Sequence, residues 1–194
     1  MAEEGPAKKK IGVLALQGDF EAHSRALERA GAEAVEVRSA EDLKRIDGLI
    51  IPGGESTTMW KLLDAEKLLE PLREFGARQP IFGTCAGAIL LASSVTNPAQ
   101  PSLGIMDIDV ERNAYGRQVD SRIAKLQPEG VPGDLEAVFI RAPIIRRVGG
   151  DAKILASYQG DPVLVEQGRH LVATFHPELT NDPRVHLMFL QKVQ

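Results

Sequence analysis

Residues 81–92 read Ile-Phe-Gly-Thr-Cys-Ala-Gly-Ala-Ile-Leu-Leu-Ala. Ile81 and Phe82 suit a buried strand, and residues 88–92 suit an apolar helix. Between them lies Gly83-Thr84-Cys85-Ala86-Gly87, the cysteine counterpart of the G-x-S-x-G nucleophile elbow. Glycines on both sides allow a sharp strand-to-helix turn with Cys85 at its apex. The sulfur then sits at a helix N-terminus, where backbone N–H groups and the helix dipole favour a thiolate. The Ala86 N–H points toward an oxyanion forming on a substrate attacked there. The competing reading is a structural thiol, since free cysteine is a frequent core residue. The strand–turn–helix context favours the nucleophile.

Working outward, the first half alternates strand and helix. Residues 11–16 form a short apolar run suited to a buried strand. Residues 19–30 follow a helical period with Phe20, His23, Leu27 and Ala30 on one side, and Gly31 stands where a helix C-terminal glycine belongs. A strand is expected at 34–37, and Ser39 with Asp42 forms a capping-box start for a short helix. A third strand at 48–51 is stopped by Pro52-Gly53-Gly54, and helical patterns cover 57–78 with a break near Pro71. The second half changes character. Strands of mixed alternation are expected at 105–111, 119–126 and 135–141. Short strands at 154–158, 163–167 and 170–175 suit antiparallel pairing. A last helix spans 183–193, with Pro183 tolerated in its first turn. The pattern predicts an α/β fold, a three-layer αβα sandwich with additional antiparallel strands in the second half. One domain, 11–194, follows a polar tail, 1–10, whose Lys8-Lys9-Lys10 reads as solubilising charge.

Composition narrows the function classes. The 194 residues are 43% apolar and 26% charged, ordinary for a globular domain. A net charge of −4 argues against a dedicated nucleic-acid binder. A single cysteine rules out an internal disulfide and a four-cysteine zinc site. No apolar run approaches the ~18 residues of a membrane span, and the first residues lack the apolar stretch of a secretory signal. A cytoplasmic enzyme with no membrane and no nucleic-acid partner is expected.

A cysteine nucleophile needs a base, and the base needs an orienting group. His176-Pro177-Glu178 follows the strand expected at 170–175. On an extended segment residues two apart share a face, and Pro177 biases His176 toward that conformation. The carboxylate then fixes the imidazole tautomer; the bland alternative is a loop histidine beside a solvated glutamate. Pro52-Gly53-Gly54-Glu55-Ser56-Thr57 ends a strand and opens a helix. Its glycines permit a peptide flip and close approach of N–H groups to a ligand, which suits a second oxyanion donor. It is equally a strand-end turn with Ser56 as N-cap. His23, His170 and His186 show no metal-ligand spacing and read as structural or surface residues. Arg112, Arg117 and Arg122 read as including solvated positions, and at least one of them is of the type to meet a substrate carboxylate through bidentate contacts.

Six segments in order, GVLALQG (12–18), PGGEST (52–57), GTCAG (83–87), RNAYGRQVDS (112–121), FIRAP (139–143) and FHPELT (175–180), resemble the glutaminase-subunit family of pyridoxal 5′-phosphate synthase. The wider class I (triad) glutamine amidotransferases share only the elbow, the glycine pair and H-P-E. Tyr115 stands where the family often has phenylalanine. The resemblance implies a flavodoxin-like fold and hydrolysis of L-glutamine, with Cys85 as nucleophile, His176 as general base and acid, and Glu178 orienting it. It implies that Gly54, Glu55 and Ser56, with Arg112, Ile140, Arg141 and Gln17, bind glutamine, and that Gly54 and Ala86 supply the oxyanion hole. No cofactor and no metal are implied. The implied partner is a synthase (lyase) subunit in a large hetero-oligomer. Two alternatives stay open: a catalytically silent binding subunit, and an amidotransferase subunit of a different synthase.

Overall fold

The computed structural model describes residues 7–114 and 121–194. In chain order, β1 (Lys10–Leu14), α1 (Phe20–Arg29) and β2 (Glu33–Val37) lead through a 3-10 turn at Asp42–Arg45 to β3 (Gly48–Ile51). Two helices, α2 (Ser56–Ala65) and α3 (Leu69–Arg78), carry the chain to β4 (Ile81–Thr84) and α4 (Ala86–Leu91). Eight strands follow: β5 (Ala92–Thr96), β6 (Met106–Glu111), β7 (Ser121–Leu126), β8 (Leu135–Ile140), β9 (Ile144–Val148), β10 (Lys153–Tyr158), β11 (Asp161–Gln167) and β12 (His170–Ala173). A 3-10 turn at Pro177–Leu179 and α5 (Arg184–Leu190) complete the order.

The main sheet has seven strands in the order β10-β11-β12-β4-β3-β1-β2. The run from β12 through β4, β3 and β1 to β2 is parallel, while β10–β11 and β11–β12 are antiparallel. Every residue of β3 and β4 is buried, as expected of central parallel strands covered on both faces. Alternate side chains feed two cores. Leu49, Ile51, Ile81 and Val172 pack with Met59, Leu63, Leu72, Phe75 and Leu91 from α2, α3 and α4. Ile11, Ile50, Phe82 and Leu171 pack with Leu27 of α1 and Val185 and Phe189 of α5. The remaining strands are shared between the two outer layers. A three-stranded sheet, β5-β6-β9, adds Val95, Ile108 and Ile145 to the first core, and a β7-β8 ribbon adds Ala124, Leu126 and Ala137 to the second.

Several expectations are refined. The helical stretch at 57–78 breaks before Pro71, at Lys67 with φ 56°, because proline is tolerated in the first turn of α3. The short helix after Ser39 is a 3-10 turn. The Asp42 carboxylate accepts from the backbone N–H groups of Arg38 (3.0 Å) and Ser39 (2.9 Å), which is only the reverse half of a capping box. Strands β5 and β9 have no counterpart in the sequence expectation; β5 begins where the elbow helix ends, with no breaker between them. Lys9 does more than carry solvated charge. Its ammonium donates to the carbonyls of Leu190 (2.8 Å) and Val193 (2.7 Å) at the end of α5. Tyr115, Arg117 and the start of the strand expected at 119–126 lie outside the described residues.

Candidate active site

Gln17 follows β1, Gly53–Ser56 follow β3, Cys85 follows β4 and His176 follows β12, so all of these sit at the carboxyl ends of parallel strands. Ligands of open α/β sheets bind at that edge. Cys85 itself takes φ 50° and ψ −107°, a conformation that costs a non-glycine residue about 1–3 kcal/mol. The surrounding packing imposes it. The Cys85 N–H donates to the Ala173 carbonyl at 2.9 Å, and the Cys85 carbonyl accepts from the Ala88 N–H at 3.0 Å. The two flanking glycines are required by close approach: a Cβ on Gly83 would lie 2.6 Å from the Gly87 carbonyl, and one on Gly87 2.1 Å from the Ile51 carbonyl oxygen. Sγ lies 3.9 Å from the Ile140 carbonyl oxygen. Ala86 opens α4, so its N–H has no partner within the helix.

His176 Nδ1 and Glu178 Oε1 are 2.6 Å apart, and the Glu178 side chain is fully buried. The extended geometry expected for this pair is not what joins them. Pro177–Leu179 is a 3-10 turn, closed by the Leu179 N–H on the His176 carbonyl at 3.3 Å, and the turn folds the carboxylate back onto the ring. A Cβ on Gly53 would lie 2.6 Å from His176 Cε1 and 3.4 Å from Cys85 Cβ. The bare glycine therefore makes room for the imidazole beside the cysteine. Burial alone would lower the His176 pKa. Hydrogen bonds to Cys85 and Glu178, and the charges of both, outweigh burial and raise it to about 10.

Of the expected glutamine-binding residues, Gln17, Glu55 and Arg112 are joined to one another. Glu55, not Ser56, caps α2: its carboxylate accepts from the Thr57 N–H (3.2 Å) and the Thr58 N–H (2.6 Å). Burial would raise the Glu55 pKa, but these bonds and the nearby Arg112 charge bring it below the usual carboxylate value. Arg112 Nη2 is 3.1 Å from Glu55 Oε1, and Gln17 Oε1 accepts from the Glu55 N–H at 3.0 Å. The Ser56 hydroxyl, freed from capping, donates to Gln100 Oε1 at 2.8 Å. Ile140 reaches the site through its carbonyl, and Arg141 follows it with φ 45°. Arg122, opposite Phe139 in the β7-β8 ribbon, donates to Gln159 Oε1 at 3.3 Å. A Cβ on Gly18 would lie 1.9 Å from the Gly53 carbonyl oxygen, so that carbonyl faces Gly18 and the Gly54 N–H, anti to it, faces away.

Three buried polar residues behind Glu178 have no sequence signal beyond their types. His23 Nε2 lies 3.4 Å from Glu178 Oε2 and 3.0 Å from Thr84 Oγ1, and His23 Nδ1 lies 3.0 Å from His186 Nε2. Both histidines are fully buried, in keeping with a structural role. Only the placement of His23 on the apolar side of its helix hints at this. Among the described residues no group of three histidine, cysteine or carboxylate side chains is arranged to hold a metal ion. Nor is any described helix long and apolar enough to cross a membrane.

Sheet order, two-sided core and cysteine elbow together are those of the class I glutamine amidotransferases. A crystal structure of a glutamine amidotransferase matches at a TM-score of 0.89 and 50% identity, over 94% of this chain and 97% of that one. At 18% identity and a TM-score of 0.68, a chain in the structure of PurLQS from Thermotoga maritima shares the fold, over 95% of this chain and 99% of that one. Within that class the chain belongs to the SNO glutamine amidotransferase family, whose profile matches residues 13–194. It is similar to the pyridoxal 5′-phosphate synthase subunit PdxT of Solibacter usitatus, 65% identical over 191 residues, covering 95% of this chain and 100% of that protein. The PdxT protein of Koribacter versatilis is 56% identical over 185 residues, covering 95% and 96%.

Proposed function

We propose that this chain hydrolyses L-glutamine to L-glutamate and ammonia, and delivers the ammonia to a synthase (lyase) subunit that makes pyridoxal 5′-phosphate. The observation that carries the reading is Cys85, held at a strained elbow beside an imidazole that Glu178 grips at 2.6 Å. Family membership and the PdxT relatives support the substrate and the pathway. A large hetero-oligomer in the cytoplasm is the setting this reading implies.

In the proposed chemistry the Cys85 thiolate attacks the side-chain carboxamide carbon of glutamine. The Ala86 and Gly54 N–H groups stabilise the tetrahedral oxyanion, each such donor being worth roughly 10²–10³ in rate. His176, kept protonated by its neighbours, gives its proton to the departing nitrogen as the C–N bond breaks, leaving a glutamyl thioester. Neutral His176 then takes a proton from water, whose oxygen attacks the thioester carbon. Glutamate leaves and the thiolate returns. Arg112 and Arg141 are suited to the α-carboxylate of the substrate, while Gln17, Glu55, Ser56 and Ile140 complete its surroundings.

Gly53-Gly54 gives the site a switch, since that peptide can present either N–H or C=O to substrate at low steric cost. The isolated chain is therefore expected to be a weak glutaminase, activated when the synthase partner holds the N–H inward. Ammonia and glutamate release, measured with and without the partner, tests this. The expected result is activity that rises on mixing and vanishes in Cys85→Ala, with folding and glutamine binding retained. Turnover retained in Cys85→Ala removes Cys85 from the mechanism; full activity without the partner removes the switch. An inert chain whose thiol resists labelling favours a silent binding protein.

A further inference from the structure

Two buried histidines that none of these steps uses stand directly behind the triad. His23 comes from α1 and His186 from α5, 163 residues apart in the chain, and both are sealed from solvent. His23 Nε2 faces the Glu178 oxygen that His176 leaves unused, at 3.4 Å, and the Thr84 hydroxyl at 3.0 Å. Among the described residues two buried side-chain atoms have no hydrogen-bond partner, Glu178 Oε2 and His186 Nδ1.

Those two atoms determine where the protons sit. An ionised carboxylate only accepts, so a lone pair on His23 Nε2 pointed at Glu178 would be repulsive, whereas an N–H there is attractive. With the proton on Nε2, His23 Nδ1 must accept, and His186 Nε2 must be the donor to it. His186 Nδ1 is then a bare acceptor, which is cheaper to bury unpaired than an N–H. A single arrangement thus suits both atoms: His186 Nε2–H bonds to His23 Nδ1, and His23 Nε2–H bonds to Thr84 Oγ1 while lying 3.4 Å from the Glu178 Oε2 that has no other partner.

The pair is also kept uncharged. Burial, reinforced by His186 and His176, holds His23 well below its ordinary pKa; burial, with Arg29 nearby, lowers His186 to about 4. A cationic His23 would compete with His176 for the same carboxylate, and a neutral one does not. We propose that His23, backed by His186, is a positioning residue that sets an uncharged N–H beside Glu178 Oε2, a charge–dipole contact, and so fixes the carboxylate that orients His176. Its consequence for turnover rests on the glutaminase reading above; the proton arrangement does not.

The test has two arms. In the first, the ¹⁵N-histidine-labelled full chain is examined by long-range ¹H–¹⁵N NMR between about pH 6 and 9. Both His23 and His186 are expected as neutral Nε2–H tautomers that do not titrate. An Nδ1–H form of His23, or titration of either ring in that range, overturns the proposal without reference to activity.

The second arm compares the parent chain with His23→Leu and His23→Gln. It measures partner-stimulated turnover and the pH dependence of iodoacetamide alkylation, which reports Cys85 alone because the chain has one cysteine. His23→Leu is expected to lower kcat on the order of ten-fold, about the worth of one polar contact to a buried charge, with KM little changed. It also changes the pH dependence of both profiles, since the carboxylate that holds His176 loses the N–H dipole facing its second oxygen. His23→Gln, which keeps a side-chain N–H, restores most of both. A folded His23→Leu protein with parental kcat and pH dependence refutes the positioning role, as does a Gln variant no better than Leu. Should His23→Leu fail to fold, the tautomer result decides. A parent inert to glutamine and iodoacetamide alike would instead sink the glutaminase reading.

Discussion

Gly53 shows how much of this site depends on an absent side chain. The imidazole of His176 occupies the volume a Cβ would fill, 2.6 Å from Cε1, so Gly53→Ala must displace the ring from its place beside Cys85 and Glu178. A displacement of about 1 Å in a reacting group costs ~10² in rate. Under the proposed chemistry Gly53→Ala should therefore lower kcat by about that factor while thermal stability changes little, as kinetics beside a melting curve will show. Parental turnover would mean that the ring is not held where it now lies. Cys85 is legible from local sequence because its whole environment, Gly83 to Gly87, is contiguous. His23 and His186 are not, because their meaning comes from two helices that pack together only in the finished fold.

At the scale of elements, the turn that opens at Ser39 gives a measurable contribution. Asp42 accepts from the Arg38 and Ser39 backbone and from the Ser39 hydroxyl, and it pairs with Arg45. The Arg38 backbone bond, with the Ser39 and Arg45 bonds added and partly offset by burial, lowers its pKa from 3.8 to about 2. A depressed carboxylate stabilises the fold above its unfolded value and loses that contribution as pH falls through the folded one. Asp42→Asn should cost about 1–2 kcal/mol at pH 7, with the difference from the parent vanishing toward pH 2; chemical denaturation at several pH values checks it. A constant difference across pH would mean that the carboxylate's charge is not what stabilises the turn. The same scale shows where sequence reading falls short. The buried parallel strands announce themselves as apolar runs closed by glycine and proline. By contrast, β5 (ASSVT) and β9 (IIRRV) have neither that composition nor clean alternation, and only the partner β6 makes strands of them. The 3-10 turn at Pro177 reads as extended in the sequence because a proline preceded by an apolar strand fits both geometries.

Across the whole molecule, four histidines set opposite slopes on stability. His23 is held low, and His170 and His186 are lowered to about 4, mainly by burial. Between that value and the ordinary 6.5 the unfolded chain binds more protons than the folded one, so stability rises with pH. His176, raised to about 10, does the reverse: the folded chain holds the extra proton above 6.5, and stability falls as pH climbs toward 10. Melting temperature against pH should peak near 6.5–7, with the acid side steeper because three groups act there. A profile flat between pH 4 and 7 would contradict the buried neutral state of those histidines.

The main sheet ends in β2 on one side and β10 on the other. Unpaired strand edges invite a second chain to add itself, and flat, apolar edges invite it most. Here β2 carries exposed Glu33 and Glu36, while β10 starts at Lys153, paired with Glu129 at 2.7 Å, and loses register twice within Ile154–Ser157. Charge guards one rim and an interrupted ladder the other. Neither rim of the main sheet offers a second copy a long, flat, apolar edge to extend.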